Sequence, residues 1–250
     1  MSARKPSAVS GITLIVKREL GQYATTWIGY VIMAALLLVC GLLYNAFALG
    51  SSPKYSADVL SDYFFFTSGC TIVVGLLLSM RLVAEERDRG TLPLLATSYL
   101  SDGQLVVAKF LSAFSALSVW LVFTLYMPAM IFINGKVSVG HIFAGYLGLL
   151  LLGAVSVSIG LFGSSLVKSQ FAAFVIGAVI TVVFLLLWMT SRVVDGALGD
   201  FISYLALHDK HFRPFMDGTV TTSAVVFYLS LTFFFLTLSR NALEGRRWRP

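Results

Sequence analysis

The chain has 250 residues, of which 58% are hydrophobic and 12% charged, and its mean hydropathy is +0.87. A soluble domain of this length needs far more polar surface, so the composition excludes an ordinary soluble protein and predicts a membrane protein. The net charge of +6 comes from short basic clusters between long apolar runs. This distribution favours contact with an anionic membrane surface over binding of nucleic acid.

Residues 10–26 predict an amphipathic helix that lies in the cytoplasmic membrane interface. One helical side carries the apolar residues Ile12, Ile15, Val16, Leu20 and Tyr23. The charged residues Lys17, Arg18 and Glu19 fall elsewhere on the helix. Such a pattern is typical of an interfacial helix, and the alternative is a helical extension of the first span.

Six apolar stretches are long enough to cross a bilayer, for which roughly 20 residues are needed. They cover residues 28–49, 63–83, 110–133, 142–166, 170–190 and 222–239. The first is too long for the core of a signal peptide, so we expect an uncleaved span. Of the Lys and Arg residues, 13 lie in the N-terminal segment, the loop 81–109, the turn at Lys168 and the C-terminal tail, against 5 in the other connections. This excess predicts that both termini are cytoplasmic.

The loop between the second and third spans contains the densest charge cluster of the chain. Its charged residues are Arg81, Glu85, Glu86, Arg87, Asp88 and Arg89. Each charge at mid-bilayer would cost about 2.5–3.5 kcal/mol, so this segment lies outside the membrane. Glu85 is four residues from both Arg81 and Arg89, which indicates that the second helix continues beyond the membrane.

Gly90 is expected to interrupt this helix, and the following residues predict a short second one. Thr91 is a suitable N-cap, and Pro93 is tolerated in a first helical turn. The apolar face of the short helix would consist of Leu92, Leu94, Leu95 and Tyr99. Residues 101–104 then have the Ser-x-x-Gln spacing of a capping box and predict the start of the third spanning helix.

Small residues recur at every fourth position in three spans, which permits close approach of helices. The stripes are Thr67, Thr71, Gly75 and Ser79 in the second span, Ser156, Gly160 and Ser164 in the fourth, and Ala173, Gly177 and Thr181 in the fifth. Two interpretations are open, namely packing within one subunit, or the seam of a dimer or the lining of a pathway.

The connection 191–221 is longer than a turn requires and is expected to form an extracytoplasmic re-entrant or interfacial segment. Phe201, Ile202 and Leu205 are at helical spacing. The run 208–211 contains two histidines, but no cysteine or third histidine is nearby, so we expect no metal site.

Catalytic motifs are not found in the sequence. No G-x-x-x-x-G-K-[S/T] motif occurs, so the chain is not expected to bind ATP through a P-loop. The two cysteines, Cys40 and Cys70, lie inside apolar runs and are interpreted as small buried hydrophobes. We therefore expect no enzyme activity and no cofactor in this chain.

The sequence AEERDRGTLPLLATSYLSDGQLVVAKF, residues 84–110, resembles the cytoplasmic loop of type-2 ABC exporter permeases. The positions that match the family pattern are Glu85, Glu86, Gly90, Thr91, Leu94, Leu95, Asp102 and Lys109. The C-terminal part resembles the branch associated with gliding motility and copper-enzyme maturation, at Tyr204, Leu205, His211, Phe212, Phe215, Gly218, Tyr228, Leu229, Ser230, Leu243, Glu244, Arg246, Arg247 and Trp248.

The resemblance implies an all-α permease domain over residues 1–250 with six transmembrane helices in the inner membrane. It implies a partnership with two copies of a separate ATP-binding subunit, which would hold ATP and Mg²⁺, and with a second permease copy or paralogue. Residues 85–104 would be the coupling loop, and its short helix would dock in a groove of the ATP-binding subunit.

Two other functions remain open at this point. A secondary transporter or channel is one, although ion-coupled carriers usually place ionisable residues near the midplane, and no such residue lies centrally in these spans. A membrane anchor of a motility or maturation complex, which transports nothing, is the other.

Overall fold

The computed structural model describes residues 8–25, 27–49, 55–91, 101–135, 137–191 and 196–247. Within these ranges all regular elements are helices, which confirms the all-α fold. The helices are α1 Ala8–Thr25, α2 Trp27–Leu43, α3 Ser56–Ser79, α4 Arg81–Asp88, α5 Asp102–Thr124, α6 Tyr126–Asn134, α7 Val139–Leu166, α8 Gln170–Ser191, α9 Ala197–Leu205, α10 Arg213–Met216 and α11 Thr222–Arg247. A π-helical segment, Tyr44–Leu49, continues α2.

Six helical segments are long and apolar enough to cross a membrane, which confirms the predicted six spans. They are Gly29–Leu49, Ser56–Asp88, Asp102–Ile133, Val139–Leu166, Gln170–Leu187 and Thr222–Gly245. The second and third segments, at 33 and 32 residues, exceed the roughly 20 that a bilayer requires. Their charged ends, as predicted, extend as helix beyond the apolar stretches.

Helix α7 forms the centre of the bundle. In its most apolar window, 67% of the residues are buried within the chain, compared with 61% in the second span and 17% in each of the first and fifth spans. It packs against α3, α8 and α11. The largest fully buried side chains include Trp120, Tyr63 and Tyr228, which fill the space between these helices. The first and fifth spans consequently lie at the periphery.

Small residues allow α7 to approach its neighbours closely. A Cβ atom built on Gly75 would lie 2.9 Å from Cβ of Ser156, and one built on Gly177 would lie 3.3 Å from Cα of Gly160. The structure therefore places the stripe of α3 against that of α7, and the stripe of α7 against that of α8. This packing within one chain involves members of all three stripes, and a role in a dimer seam or along a transport pathway stays a prediction.

Two spans are interrupted within their length. Pro128 has no N–H group, and the preceding Leu125 donates to the carbonyl of Val122 rather than to the residue four positions back. The third span therefore changes from α5 to α6 at Leu125. The second span is interrupted at Met80, between α3 and α4, for a reason that involves α7 and is described below.

Helix α1 packs against the beginning of α5. Ile15 is buried against Leu105 and Ala108, with Ile12 alongside. The predicted apolar face of this helix is thus at least partly covered by the protein itself. Its placement in the membrane interface stays a prediction.

The segment 196–221 folds back onto the bundle through α9, a turn and α10. The N–H of Leu207 donates to the carbonyl of Phe184 at 3.2 Å, and the hydroxyl of Tyr228 donates to the carbonyl of Leu207 at 2.7 Å. Residues 192–195 lie outside the described part of the chain. We call this end of the bundle, with His141, His208 and His211, the histidine end. The opposite end, where α1 and α4 meet the start of α5, is called the basic end.

Candidate functional site

The charged helix α4 ends in a defined turn at the basic end. Gly90 has a φ angle of +66°, a conformation that favours glycine. The N–H of Thr91 donates to the carbonyl of Glu86 at 2.9 Å, and the N–H of Gly90 donates to that of Arg87 at 3.2 Å. These two bonds constitute a Schellman motif, so the helix ends where the sequence predicted a break.

Among the described residues, the hydroxyl of Thr91 forms a hydrogen bond to the last turn of α4. It donates to the carbonyl of Glu86 at 3.3 Å. The predicted short helix, with Leu94 and Leu95, lies in residues 92–100, outside the described residues. Its docking role, and a role of Thr91 as its N-cap, therefore stay predictions.

The chain resumes at the predicted capping box of α5. The N–H of Gln104 donates to Oγ of Ser101 at 3.3 Å, and the N–H of Ser101 donates to Oε1 of Gln104 at 3.1 Å. Asp102 lies in the first turn, where a carboxylate is favoured by the helix dipole. The helices on both sides of the loop thus have well-defined caps, at the end of α4 and at the start of α5.

Four charged side chains from α1, α4 and α5 meet at the basic end. Nζ of Lys109 lies 2.9 Å from Oε1 of Glu86 and 3.4 Å from Oε1 of Glu19. Nη2 of Arg18 lies 2.9 Å from each of the same two oxygens. We call these four residues the ion cluster. It joins α1, α4 and α5, and its two positive and two negative charges balance.

Burial makes the pairing in the ion cluster obligatory. The Lys109 side chain is 1% exposed and that of Glu19 is 7% exposed. A buried ammonium group is strongly destabilising unless it is paired and hydrogen-bonded. Burial by itself would raise the pKa of Glu19, but the positive charges of Lys109 and Arg18 prevail and lower it. Glu19 is therefore a carboxylate at neutral pH.

The interruption at Met80 is held by a side chain of α7. The hydroxyl of Ser164 accepts hydrogen bonds from the N–H groups of Val83 and Ala84, at 3.0 and 2.9 Å, and donates to the carbonyl of Met80 at 2.8 Å. The inserted hydroxyl replaces helical bonds that a continuous α3–α4 helix would make. Ser164 therefore fastens the beginning of α4 to the central helix.

The other charges of α4 form a more exposed row. Nη2 of Arg89 lies 2.7 Å from Oε1 of Glu85, and Nε of Arg81 lies 4.0 Å from Oε2 of the same carboxylate. These are the i,i+4 pairs that the sequence predicted. The guanidinium of Arg81 also lies 4.2 Å from the ring centroid of Tyr23, whose hydroxyl donates to the carbonyl of Leu78. This row thus links α1 to α3 and α4.

Two of the residues that organise this site were not identified in the sequence as functional. The helical pattern separated Glu19 from the apolar face, whereas the structure buries it against Lys109. The only sequence signal was its position directly after two basic residues in an otherwise apolar helix. Ser164 belonged to a stripe interpreted through its small size, and its hydroxyl was not considered.

The charged side chains at this end pair with one another across three helices. In the described residues no three His, Cys, Asp or Glu side chains come together as metal ligands. The ion cluster joins α4 and α5, the two helices that flank residues 92–100 in the sequence, to α1.

Comparison with known proteins agrees with this description. The profile of the family described as ABC-2 family transporter protein matches residues 44–207, well over half of the chain. The search of curated proteins found no significant match. The matched region includes α3, α4, the loop, α5 and α7, and thus two of the four members of the ion cluster, Glu86 and Lys109. The chain belongs to the ABC-2 transporter family, whose members are membrane components of transporters.

Proposed function

We propose that this chain is the transmembrane permease subunit of an ABC exporter in the inner membrane. Two copies of a separate ATP-binding subunit would associate with its basic end and supply ATP and Mg²⁺. A second permease copy, or a paralogue, would complete the complex. The chain itself would carry out no chemical step, and both of its termini would be cytoplasmic.

The ion cluster is the observation on which the proposal rests. It ties Glu86, four residues before the Gly90 turn, to Lys109 in the second turn of α5 and to Glu19 in α1. Closure of the ATP-binding subunits would displace residues 92–100, and the displacement would reach three helices together. Ser164 would pass it on to α7. Such rigid-body coupling uses the difference in binding energy between two states of the partner.

The matched residues divide into two roles under this proposal. Leu94 and Leu95 would enter the groove of the ATP-binding subunit, while Glu85, Gly90, Thr91 and Asp102 would shape and orient the loop. Glu86 would have an internal role, because it faces Lys109 rather than solvent and its side chain is only 12% exposed.

The exposed sides of the first and fifth spans support association with a second permease copy. Only 17% of the apolar window is buried in each, compared with 67% in α7. Apolar side chains such as Leu38, Val179 and Leu186 are about half exposed. Either lipid or a second copy can cover these faces, and a dimer would use part of them.

Co-purification with candidate ATP-binding subunits tests the proposal. Leu95→Asp is expected to abolish association, because it places a charge on the docking face. Glu86→Lys is expected to destabilise the ion cluster and to impair the stimulation of ATP hydrolysis by the permease, since it adds a positive charge beside Lys109 and Arg18. The double variant Glu86→Lys/Lys109→Glu restores the charge balance and should recover part of the stimulation. The matched control is Glu244→Lys, an exposed glutamate at the same end.

The outcomes separate the three functions. If the unmodified chain is stable and no ATP-binding subunit associates with it, the proposal is wrong and a secondary transporter or channel is favoured. If a subunit associates but no lipid, peptide or glycan stimulates hydrolysis in the reconstituted complex, a non-transporting anchor of a motility or maturation complex is favoured.

A further inference from the structure

A large groove separates the first span from the second and third spans near the basic end. Its volume is about 1060 Å³. One wall is formed by α2, from Gly29 to Leu37, and the other by α3 and α4, from Val74 to Arg89. Ala116, Val119 and Phe123 of α5 form its floor. The groove is separate from the ion cluster, none of whose four members lines it.

The lining of the groove is divided sharply along its length. Along the membrane-spanning part it is apolar, with Ile32, Met33, Leu36, Leu37, Val74, Leu77 and Leu78. The polar side chains are confined to the basic end, namely Gln22, Tyr23, Arg81, Glu85, Arg89 and Gln170. An apolar slot with a polar mouth fits an amphipathic molecule whose head lies at the membrane surface.

The charges at the mouth favour an anionic head. Two guanidinium groups, Arg81 and Arg89, face one carboxylate, Glu85, which leaves one net positive charge. Nε of Arg81 is buried and has no hydrogen-bond partner among the described residues. A buried donor without an acceptor is costly, and a phosphate oxygen would satisfy it.

The dimensions agree with one lipid chain in one leaflet. From Gly29 to Leu37 the wall of α2 is nine residues long, and its eight rises of 1.5 Å per residue span about 12 Å. Half of the hydrocarbon core is about 15 Å thick. Tyr30, which is 59% exposed, stands at the rim, so a chain can enter from the bilayer side past the loosely covered first span.

We propose that this groove binds one anionic phospholipid from the leaflet at the basic end. Its phosphate lies at the mouth beside Arg81 and Arg89, and one acyl chain fills the slot between α2 and α3. The lipid braces the first span against the α3–α4 segment. This inference does not depend on the proposed transport function, because it concerns a resident lipid and not the coupling to ATP.

The experiment uses the purified full chain, delipidated in detergent and titrated with phosphatidylglycerol or with phosphatidylcholine of the same acyl chains. Native mass spectrometry measures the bound lipid. We expect phosphatidylglycerol to bind at one site and more tightly than phosphatidylcholine. Arg89→Gln should weaken its binding about fivefold, as expected for one basic residue near a membrane surface. Arg81→Gln should weaken it at least as much, whereas the control Arg240→Gln, an exposed arginine paired with Glu244, should not.

A second pair of variants tests the slot independently of charge. Ala34 lines the groove and its neighbour Ala35 does not, although both are exposed on α2. Ala34→Phe should reduce lipid binding, and Ala35→Phe should leave it unchanged. Equal binding of the two lipids, or equal effects within each matched pair, would overturn the proposal.

Two further results would also overturn it. If Leu37→Cys forms a cross-link between two chains in membranes, the groove is occupied by a second copy. If the bound phosphatidylglycerol crosses the bilayer during ATP hydrolysis by the assembled complex, the lipid is cargo and not a resident. Both results are distinct from a failure of the ATP-binding subunit to associate, which would affect only the proposed function.

Discussion

The two ends of the bundle are stabilised by different kinds of contact. At the basic end, Glu19, Glu86, Arg18 and Lys109 are joined by charge pairs of 2.9 to 3.4 Å. At the histidine end the three histidines contact aromatic rings, a hydroxyl group and backbone carbonyls, and the charged Lys210 lies 5.4 Å from the ring centroid of Tyr204. The His211 ring stacks on Phe227 with centroids 3.9 Å apart, Nε2 of His208 lies 2.9 Å from Oγ of Ser68, and Nε2 of His141 donates to the carbonyl of Met216.

This difference bears on which end can move. An ion pair is attractive over several ångströms, so charged partners tolerate a shift of the helices that carry them. Stacked rings and buried neutral hydrogen bonds lose their energy over a much shorter displacement. Under the proposed function, the end that receives the ATP-binding subunit is the tolerant one. The histidine end then provides the fixed reference against which it moves.

The largest expected effect comes from removing the centre of the ion cluster. Lys109→Met removes the buried cation of the cluster and leaves Glu19 and Glu86 paired only with Arg18, which is half exposed. Breaking a buried pair in this way typically costs about 3–5 kcal/mol. Thermal unfolding in detergent should show a large loss of stability. Lys168→Met, which removes an exposed lysine, is the control.

A further variant of the ion cluster tests whether Lys109→Met loses stability because it leaves buried carboxylates without their buried cation. In the triple variant Glu19→Gln/Glu86→Gln/Lys109→Met no buried charge loses a buried partner, so much of the stability should return. A triple variant that is less stable than Lys109→Met would show that the charges do not act as one unit.

The second effect concerns the connection of α4 to the central helix. Ser164→Ala removes the acceptor of the Val83 and Ala84 N–H groups, and each buried donor left without a partner costs about 1–3 kcal/mol. Ser165→Ala is the matched control, because its hydroxyl donates to the carbonyl of Phe162 in its own helix. We expect hydrogen exchange of α4 amides to accelerate in the first variant and to remain unchanged in the second. Equal exchange rates would show that Ser164 does not hold the interruption.

The residues Lys109 and Ser164 also show what the sequence could predict and what it could not. The six spans, the helix end at Gly90 and the capping box at Ser101 are encoded locally, by apolar length, by a left-handed glycine and by residues three positions apart. The partners of Lys109 and Ser164 are distant in sequence. Glu19 is 90 residues from Lys109, and Ala84 is 80 residues from Ser164.

Periodicity describes one helix at a time, and this explains why the ion pairs of Glu19 could not be predicted. A helical pattern separates apolar from charged sides, but it cannot show that a charged side faces an opposite charge on another helix. The small-residue stripes were located correctly for the complementary reason. Close packing requires only the absence of side-chain bulk, which each helix displays by itself.

A change of pH should distinguish the two ends without any substitution. Burial lowers the pKa of His208, against an opposing effect of Asp209, and burial with the nearby Lys210 lowers that of His211, against an opposing bond to the Tyr204 carbonyl. The unfolded chain therefore binds these protons more readily than the folded one. Stability conferred by the neutral histidines is complete above the ordinary pKa of about 6.5 and decreases as the pH falls through it.

The stability contribution of Glu19 also decreases as the pH falls, but it does so at a lower pH than that of the histidines. Its pKa is lowered within the ion cluster, so its contribution is complete above the ordinary pKa of about 4.3 and is lost only as the pH falls further. We compare amide exchange at pH 7.5 and pH 5.5 after division by the intrinsic exchange rate at each pH. On lowering the pH, this corrected rate should increase around α9 and α10 and change little around α4. The double variant His208→Gln/His211→Gln should abolish the additional pH dependence at the histidine end. An equal pH response of both ends would contradict the assignment.

The smallest expected effect compares two adjacent carboxylates of α4. Glu85→Gln breaks i,i+4 pairs with Arg89, whose side chain is 68% exposed, and with Arg81 at 4.0 Å, so it should cost only a few tenths of a kcal/mol. Glu86→Gln weakens a pair with a lysine that is 1% exposed and should cost several times more. Raising the salt concentration from 0.05 to 0.5 M should remove most of the Glu85 effect, because screening acts on exposed charges, and leave the Glu86 effect largely intact. Equal costs in thermal unfolding would mean that burial of the ion cluster does not strengthen its pairs, and the contrast between the two ends would then depend on aromatic packing alone.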